Sequence, residues 1–513
     1  MASTFFGLNI ATSGIHAAQA GITTAAHNTS NENTKGYTRQ VVSQSASDAL
    51  RFYASYGMVG SGVEITKVEQ LRDNYYDVKY RDNEAKLNNH STKYKYEIQI
   101  EDYFNEIETQ GFTSEYMDIF TTLQSMQGNP SELTYRTELF SYCQSLADYF
   151  NDIQNKLTNL QQECNTEVSN MVERMNTIAE QIASVTKQIN TVELTGVLAN
   201  DLRDKRNLML DELSSIVPIT VTETEFANGH TNFMVKTEGF TLVDDYDAKS
   251  MVLVEREHRA GKMDADGLYD IYYYYDEETG SGTKFDPIAM DMNGALRAMI
   301  DVRDGNNAMA DTSNPYAKNV NYKGIPFYVE KIQDFKQTIA DTFNDIHQHS
   351  TITDEDGNEV PANYNLYGDT TEDIPIYIMS STGVLSVNKD LIDDPSLLAT
   401  STYPIQNGVE DSGIIDRLLA VRDKPIFRNS NAQEYLHSIV AEISVDVSKA
   451  DSFERNYSNI KQSIENQRLS YSGVDGDEEA MDLVKYQEAF DLAAKMISVM
   501  QQIYNKLINE MGL

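Results

Sequence analysis

The sequence predicts a mainly α protein with an inserted β domain. Its parts are a terminal coiled coil, a long-helix rod domain and a small β-rich outer domain. Three observations predict this. Both chain ends carry apolar residues at alternating steps of three and four. A helical apolar stripe runs from about 138 to 192. Between Ile216 and Asp286 the apolar period drops toward two.

At the C-terminus, Leu483, Tyr486, Phe490, Ala493, Ile497, Met500, Tyr504, Leu507 and Met511 form four heptads of an a/d seam. Asp475, Asp477, Glu478 and Glu479 precede it and supply cap oxygens and negative charge for the positive end of a helix. At the N-terminus, Phe5, Leu8, Thr12, Ile15, Gln19, Ile22 and Ala26 keep the same spacing among small residues. Gly14 and Gly21 each cost about 1 kcal/mol of helix stability relative to Ala, so this helix needs a partner in order to form. Periodicity alone fits equally well with two helices packed inside one ordinary domain.

Residues 84–108 read as a charged amphipathic helix. The longer stripe carries Leu146, Phe150, Ile153, Leu157, Leu160, Cys164, Val168, Met171, Met175, Ile178, Ile182, Val185 and Ile189. Its two successive steps of four at Leu160–Cys164–Val168 are a stutter that relaxes a supercoil. Such a helix spans roughly 80 Å, which suits a rod. Further helices are expected at 202–214, 293–304, 325–348 and 433–470. Strand residues are Val221, Phe233, Val235, Leu242, Val252, Val254, Ile271, Tyr273 and Tyr275, with turns at Asn228-Gly229, Asp266-Gly267 and 280–282. The region 351–432 reads as irregular, with short strands within 374–388. The expected domains are 1–38 with 475–513 as a terminal coiled coil, 39–214 with 293–474 as the helical rod, and 215–292 as the inserted β domain.

The formal charge of −38 over 513 residues disfavours phosphate backbones and anionic lipid as partners. It also means that self-association must overcome repulsion. Cys143 and Cys164 are the only cysteines, and both fall on helical apolar stripes, so they read as small core residues. The first Lys or Arg is Lys35, and no basic n-region or continuous apolar h-region is visible; a route of export without a cleaved signal is therefore expected if the protein is secreted. Catalytic, cofactor and metal motifs were sought without a match. The histidines make no HExxH, and Walker A, strand-linked GxGxxG and GxSxG patterns are missing. His347 and His349 suit the C-terminal end of a helix. Asp354–Asn358 and Asp264–Gly267 suit turns better than calcium loops. No enzyme, cofactor or metal is expected.

Five segments go beyond periodicity. The stretch from Phe6 to Gln19 (FGLNIATSGIHAAQ) resembles the opening segment of the flagellar rod, hook and hook-associated axial family. Asn31 to Gln40 (NENTKGYTRQ) is similar to that family's NxNTxGYTRQ stretch, in which Asn33 and Gly36 suit a helix exit and Tyr37 and Arg39 follow. Ser472 to Ala480 (SGVDGDEEA), continued through Lys485–Phe490 and Ala493–Ile497, resembles the start of the family's closing helix. Asn200–Arg206 with Leu210–Leu213, and Gly294–Asp304, resemble two internal segments. Thr29 stands where an aliphatic residue is usual, Asp475-Gly476 departs from the usual pair, and a large outer domain between 350 and 430 looks shortened.

The resemblance implies a structural subunit at the hook–filament junction, exported unfolded and uncleaved through the flagellar type III channel to the cell exterior. It implies terminal helices that pair into an inner coiled coil. It also implies a ring of self-associated subunits between hook protein below and hook-associated protein 3 and flagellin above, and an export chaperone on the C-terminal helix. The implied assembly interface is Leu8, Ile15, Ile22, Asn33, Gly36, Tyr37, Arg39, Leu483, Tyr486, Phe490, Ile497, Met500, Tyr504 and Leu507. Another axial subunit (hook-associated protein 3 or flagellin-like) and an extracellular coiled-coil adhesin are the alternatives.

Overall fold

The structure, a computed structural model, describes residues 6–51, 58–109, 112–225, 231–310, 312–354, 357–404 and 411–510. Phe5, the Asn228-Gly229 turn, Glu355, Asp356 and Met511 lie outside the described residues. The chain opens with α1 (Phe6–Asn31) and a β-hairpin region of β1 (Gln40–Ala46), β2 (Leu50–Arg51), β3 (Met58–Val59) and β4 (Val63–Gln70). Four helices follow: α2 (Asn74–Thr109), α3 (Phe112–Gly128), α4 (Leu133–Glu193) and α5 (Asn200–Ile216). Then come β5 (Thr220–Glu225), β6 (Thr231–Thr237), β7 (Phe240–Asp244), β8 (Asp247–Ala248), β9 (Val252–Glu255), β10 (Tyr269–Asp276) and β11 (Ser281–Lys284). After α6 (Ala295–Asp304) and α7 (Ile325–His349) there are four short strands, β12 (Thr351–Thr353), β13 (Glu359–Pro361), β14 (Tyr377–Met379) and β15 (Leu385–Val387). The chain closes with α8 (Lys389–Asp393), α9 (Gly413–Ala420), α10 (Ala432–Ser472) and α11 (Gly476–Asn505). Every sheet pairing is antiparallel.

The chain divides into two compact units. The first contains 1–88, 173–251 and 456–513, and the second 89–172 and 252–455. The strand-rich stretch expected as one domain forms two separate sheets. The four-stranded sheet β5-β6-β7-β8 belongs to the first unit and the three-stranded sheet β11-β10-β9 to the second, with the division after Met251. Each sheet has its own tether to α4. Asn176 exchanges two hydrogen bonds with the Met251 backbone, and Asn165 does the same with Gly267 O and Tyr269 N–H.

In α4 the stripe residues Leu146 through Val168 are buried. The stutter then continues one step further than expected, because Val172 is buried in place of the half-buried Met171. Three successive steps of four carry the seam from Leu160 to Val172. Both cysteines are buried free thiols. Several features differ from expectation, among them the strands β1 to β4 in a stretch expected as part of the helical rod. Helix α2 begins at Asn74, ten residues before the expected start, because the Asp73 carboxylate accepts the Tyr75 N–H at 2.9 Å and caps it. Helix α3 was not expected, although Phe112, Tyr116, Ile119, Phe120, Leu123 and Met126 form its buried face.

The second unit's core centres on stacked aromatics. Phe335 lies over Phe427 (5.1 Å, 2° between planes), and Phe427 over Tyr435 (4.5 Å, 6°). Around it, buried bases hold the irregular segments with neutral oxygens. Arg136 is fully buried and donates to Pro130 O (2.8 Å), Leu398 O (2.8 Å), Pro395 O (3.2 Å) and Thr400 Oγ1 (2.9 Å). Lys336, also fully buried, donates to Gln154 Oε1, Gly383 O and Asn151 Oδ1. Burial lowers its ammonium to about 8.

His347 was expected to serve its own helix end. Instead it is fully buried and joins two other segments. Its Nε2 accepts the Ala399 N–H at 2.9 Å, so Nδ1 carries the proton and donates to Ile374 O at 2.8 Å. This neutral ring is held at about 4, by burial first, with Arg136 adding to the effect. His349, by contrast, is exposed, 3.6 Å from Asp345. Glu97 is buried and accepts the Tyr322 hydroxyl; burial first, then Asp446, pushes its carboxyl up to about 7. Strands β12 and β13 pair antiparallel, and between them the Asn358 N–H donates to Asp354 Oδ1 at 2.8 Å. Among the described residues no cluster of His, Cys, Asp or Glu suits a metal ion, and no helix is long and apolar enough to cross a membrane.

These two groups tilt the second unit's stability in opposite directions. The folded pKa of His347 lies below its ordinary 6.5, so its contribution is present above pH 6.5 and is lost as pH falls toward 4, on the order of 3 kcal/mol in all. Glu97 is raised above its ordinary 4.5, so its contribution is present below pH 4.5 and is lost as pH rises through 7. Denaturant unfolding between pH 4.5 and 7 is expected to show this. Relative to the parent, Glu97→Gln should make stability climb more steeply with pH, and His347→Gln should make it climb less. Identical slopes in all three chains would contradict the burial described for both groups.

Candidate functional site

The terminal helices pair antiparallel. Gly7 faces Met500, Gly14 faces Ala493 and Gly21 faces Tyr486, so each seven-residue step along α1 matches a seven-residue step back along α11. The face of α1 that meets α11 is the small-residue one, with Ala11, Ala18, Gly21 and Ala25 buried. Leu8, Ile15 and Ile22, expected on the seam, sit half-buried on its flank, and Gln19 and Ala26 are exposed. The reason is steric. The ring of Tyr486 and the thioether of Met500 occupy the space over glycines, and a Cβ at Gly21 would stand 2.5 Å from Tyr486 Cδ1. All the large knobs come from α11, whose Leu483, Tyr486, Phe490, Ile497, Met500 and Tyr504 are half-buried, whereas Leu507 is exposed.

A second apolar stripe on α11 has no cover within the described residues. Met481, Val484, Leu492, Met496, Val499, Ile503 and Ile508 are all exposed, most by about half or more, Ile508 by 65%.

At the head of α11, Asp475 accepts the N–H groups of Asp477 (2.9 Å) and Glu478 (3.2 Å) as N-cap. Asp477 is exposed in the first turn. Glu478 and Glu479 do more than offset the helix dipole, because together with Asp482 they enclose Arg39. Its Nε donates to Glu479 Oε1 at 2.6 Å, Nη1 to Glu478 Oε2 at 2.7 Å, and Nη2 to Asp482 Oδ2 at 3.4 Å. Burial alone would depress Arg39, and the hydrogen bonds and charge of Glu479 and Glu478 hold it above its ordinary value. Glu479 is itself buried. The Arg39 backbone N–H also donates to Ser472 O at 2.9 Å, just before the closing helix.

The residues around Arg39 anchor it to other elements. The exit from α1 passes Asn33, which is exposed, and turns at Gly36, whose φ of +82° suits glycine. The Tyr37 hydroxyl donates to Asn28 Oδ1 (2.8 Å) and accepts from His27 Nδ1 (2.9 Å). Burial first, then Asp201 and Asp204, raises the Tyr37 phenol, which stays protonated. Thr38 gives both its N–H and its hydroxyl to Asp204 (2.9 and 2.6 Å). Gln40 exchanges backbone hydrogen bonds with the Asn28 amide (2.8 and 3.0 Å) and donates its own amide to Asp201 (2.9 Å). Thus 37–40 and 200–204, two segments singled out in the sequence, meet each other.

A part-buried chain of alternating charge extends from that contact. Arg72 lies between Asp204 (3.4 Å) and Asp77 (2.6 Å). Arg468 bridges Asp77 (2.9 Å) and Asp211 (2.8 Å), and Arg81 closes on Asp211 (2.8 Å). Sequence reasoning missed Arg72, Asp77, Arg81 and Arg468. Their only local sign was charge in or just before a helix.

Two outcomes follow for this site. Asp211→Ala leaves Arg81 and Arg468 without their shared carboxylate and should cost about 3–5 kcal/mol, read by denaturant unfolding of the full chain. Gly21→Leu should force α1 off Tyr486 at about 1–3 kcal/mol and strip amide-exchange protection from 6–31. Unchanged protection there would contradict the register given above.

Residues 98–360, more than half of the chain, match the family model described as the flagellar hook-associated protein FlgK helical domain. Residues 465–510, which contain α11, match the flagellar basal body rod FlgEFG protein C-terminal family. Flagellar hook-associated protein 1 of Bacillus subtilis (strain 168) is 27% identical over 532 residues, covering 100% of this chain and 99% of the relative. That of Escherichia coli (strain K12) is 23% identical over 559 residues, covering 98% and 99%. A solved structure, the flagellar hook junction protein FlgK from Burkholderia pseudomallei, aligns with a TM-score of 0.44 and 18% identity over 59% of this chain and 47% of that one. The chain belongs to the FlgK family, the hook-associated structural proteins of the bacterial flagellum.

Proposed function

We propose that copies of this chain assemble into the ring that joins hook to filament, with the α1–α11 pair as its inner core and the rest of the chain outside it. The observation that carries this reading is the uncovered apolar stripe of α11 on helices of unusual charge. Residues 6–31 and 492–508 contain no Asp or Glu, in a chain of net charge −38. Copies that repel one another elsewhere can therefore approach along this pair, and burial of the stripe contributes about 25 cal/mol per Å². On this reading the 14 interface residues act in two ways. Those of α1 and α11 shape the paired core, and Asn33, Gly36, Tyr37 and Arg39 fix its angle to the body.

The finer parts of the reading are supported by the family relationship. The chain leaves the cell through the type III channel without a cleaved signal, and an export chaperone covers the α11 stripe beforehand. Hook protein and hook-associated protein 3 are its axial neighbours, and its role is structural, without catalysis. Hook-associated protein 3 and flagellin-like subunits share the terminal helices, so position along the flagellum separates them from this reading. Immunogold labelling of isolated hook–filament structures, with antibody to residues 216–286, should give a narrow band at the hook–filament boundary. Label along the whole filament would assign a flagellin-like role, and no label on flagella would overturn the axial reading. Val499→Asp should leave the helical content of the monomer unchanged and remove the band.

A further inference from the structure

The turn between α4 and α5 has the wrong surface for a solvated loop. Turns are ordinarily polar, yet Leu194 is 63% and Val197 60% exposed in this one, with Val192 and Leu198 also open to solvent. Beside it runs a groove of about 430 Å³. Its lining combines Val68, Leu198 and Leu202 with Thr23, Thr24 and His27 of α1. Asp201 stands at the rim, its side chain 66% exposed.

The groove also takes in the polar Gln40 and Asn200, but its apolar residues and the open Leu194 and Val197 beside it call for an occupant with exposed apolar side chains, and next to Asp201 for one without carboxylates. Residues 492–508 meet both demands. They expose Leu492, Met496, Val499 and Ile503, and their only charged residues are Lys495 and Lys506. The chain's own copy cannot supply them. In the register set by the three glycines, Ala493 and Met500 lie beside Gly14 and Gly7, while the groove stands at Thr23–His27, past Gly21 and Tyr486. Antiparallel pairing carries 492–508 away from the groove.

We infer that the groove beside the α4–α5 turn receives residues 492–508, the end of α11 with the helical turn that follows it, from a second copy of this chain, with Leu194, Val197 and Leu198 packed against that helix's uncovered stripe. This rests on the assembly reading above. It adds the pair of surfaces that meet and makes the contact head-to-tail, since turn and stripe are different patches on each copy. Such a contact closes into a ring or continues as a helix.

Cysteine crosslinking tests it. Cells carrying Val197→Cys and Met496→Cys chains together would be grown, their hook–filament structures isolated and mildly oxidised, and the chain resolved on non-reducing gels. The two native cysteines are buried. A covalent dimer is expected from the mixed cells and from neither variant alone. If both variants reach the junction and no dimer forms, the inference fails and the assembly reading stands. A dimer from Val197→Cys alone would mean that turn meets turn, and would also overturn it. If the unaltered chain is missing from the junction, both fail. As a second measure, Leu194→Asp with Val197→Asp should reduce incorporation roughly tenfold while circular dichroism stays that of the parent. Full incorporation of this variant would overturn the inference.

Discussion

The first compact unit depends on a part-buried alternation of charge. Each of Asp77 and Asp211 is shared by two arginines, and Arg72 and Arg468 each lie between two aspartates. Buried ions are tolerated only when neighbours replace the lost water, and a shared arrangement does that for every member at once. The residues come from the start of α2 and the turn before it, from α5 and from the end of α10, so one set of contacts determines how three distant parts of the chain meet. Thr38 joins the chain through Asp204, and from there Arg39 reaches the head of α11.

That connection explains why the two chain ends behave as one element. Helix α1 has glycines where a self-sufficient helix would have alanines or leucines, and it buries those positions against the large side chains of α11. Neither helix has much stabilising surface of its own. Arg39 is held by three carboxylates in the first turns of α11, and Gln40 is clamped to Asn28 near the end of α1. Entry to and exit from the pair are therefore set by adjacent residues.

The second unit uses a different chemistry. Arg136, Lys336 and His347 are buried, and their hydrogen-bond partners are carbonyls, amides and a hydroxyl. Neutral oxygens solvate a buried base less well than a carboxylate does, so these groups fasten the segments 363–403 with directional hydrogen bonds at some cost in stability. The aromatic stack of Phe335, Phe427 and Tyr435 provides the compensating burial.

The sequence by itself determined the class of the fold, the long helix, the heptads of α11 and the resemblance to the axial family. Those features depend on residues three or four apart, or on short contiguous motifs, and such patterns survive in one dimension. The acidic run at 475–479 was legible as a cap for the same reason, and Asp475 acts as one. Tertiary structure decided which face of α1 meets its partner. The larger residues Leu8, Ile15 and Ile22 carried the apolar signal, but close approach favoured the glycine stripe, because a narrow helix surface accepts the knobs of Tyr486 and Met500. It also decided the role of Glu479, whose partner Arg39 is 440 residues away. It assigned the strands on either side of Met251 to different units. Pairings over such separations depend on where whole elements come to rest, and no local period encodes that.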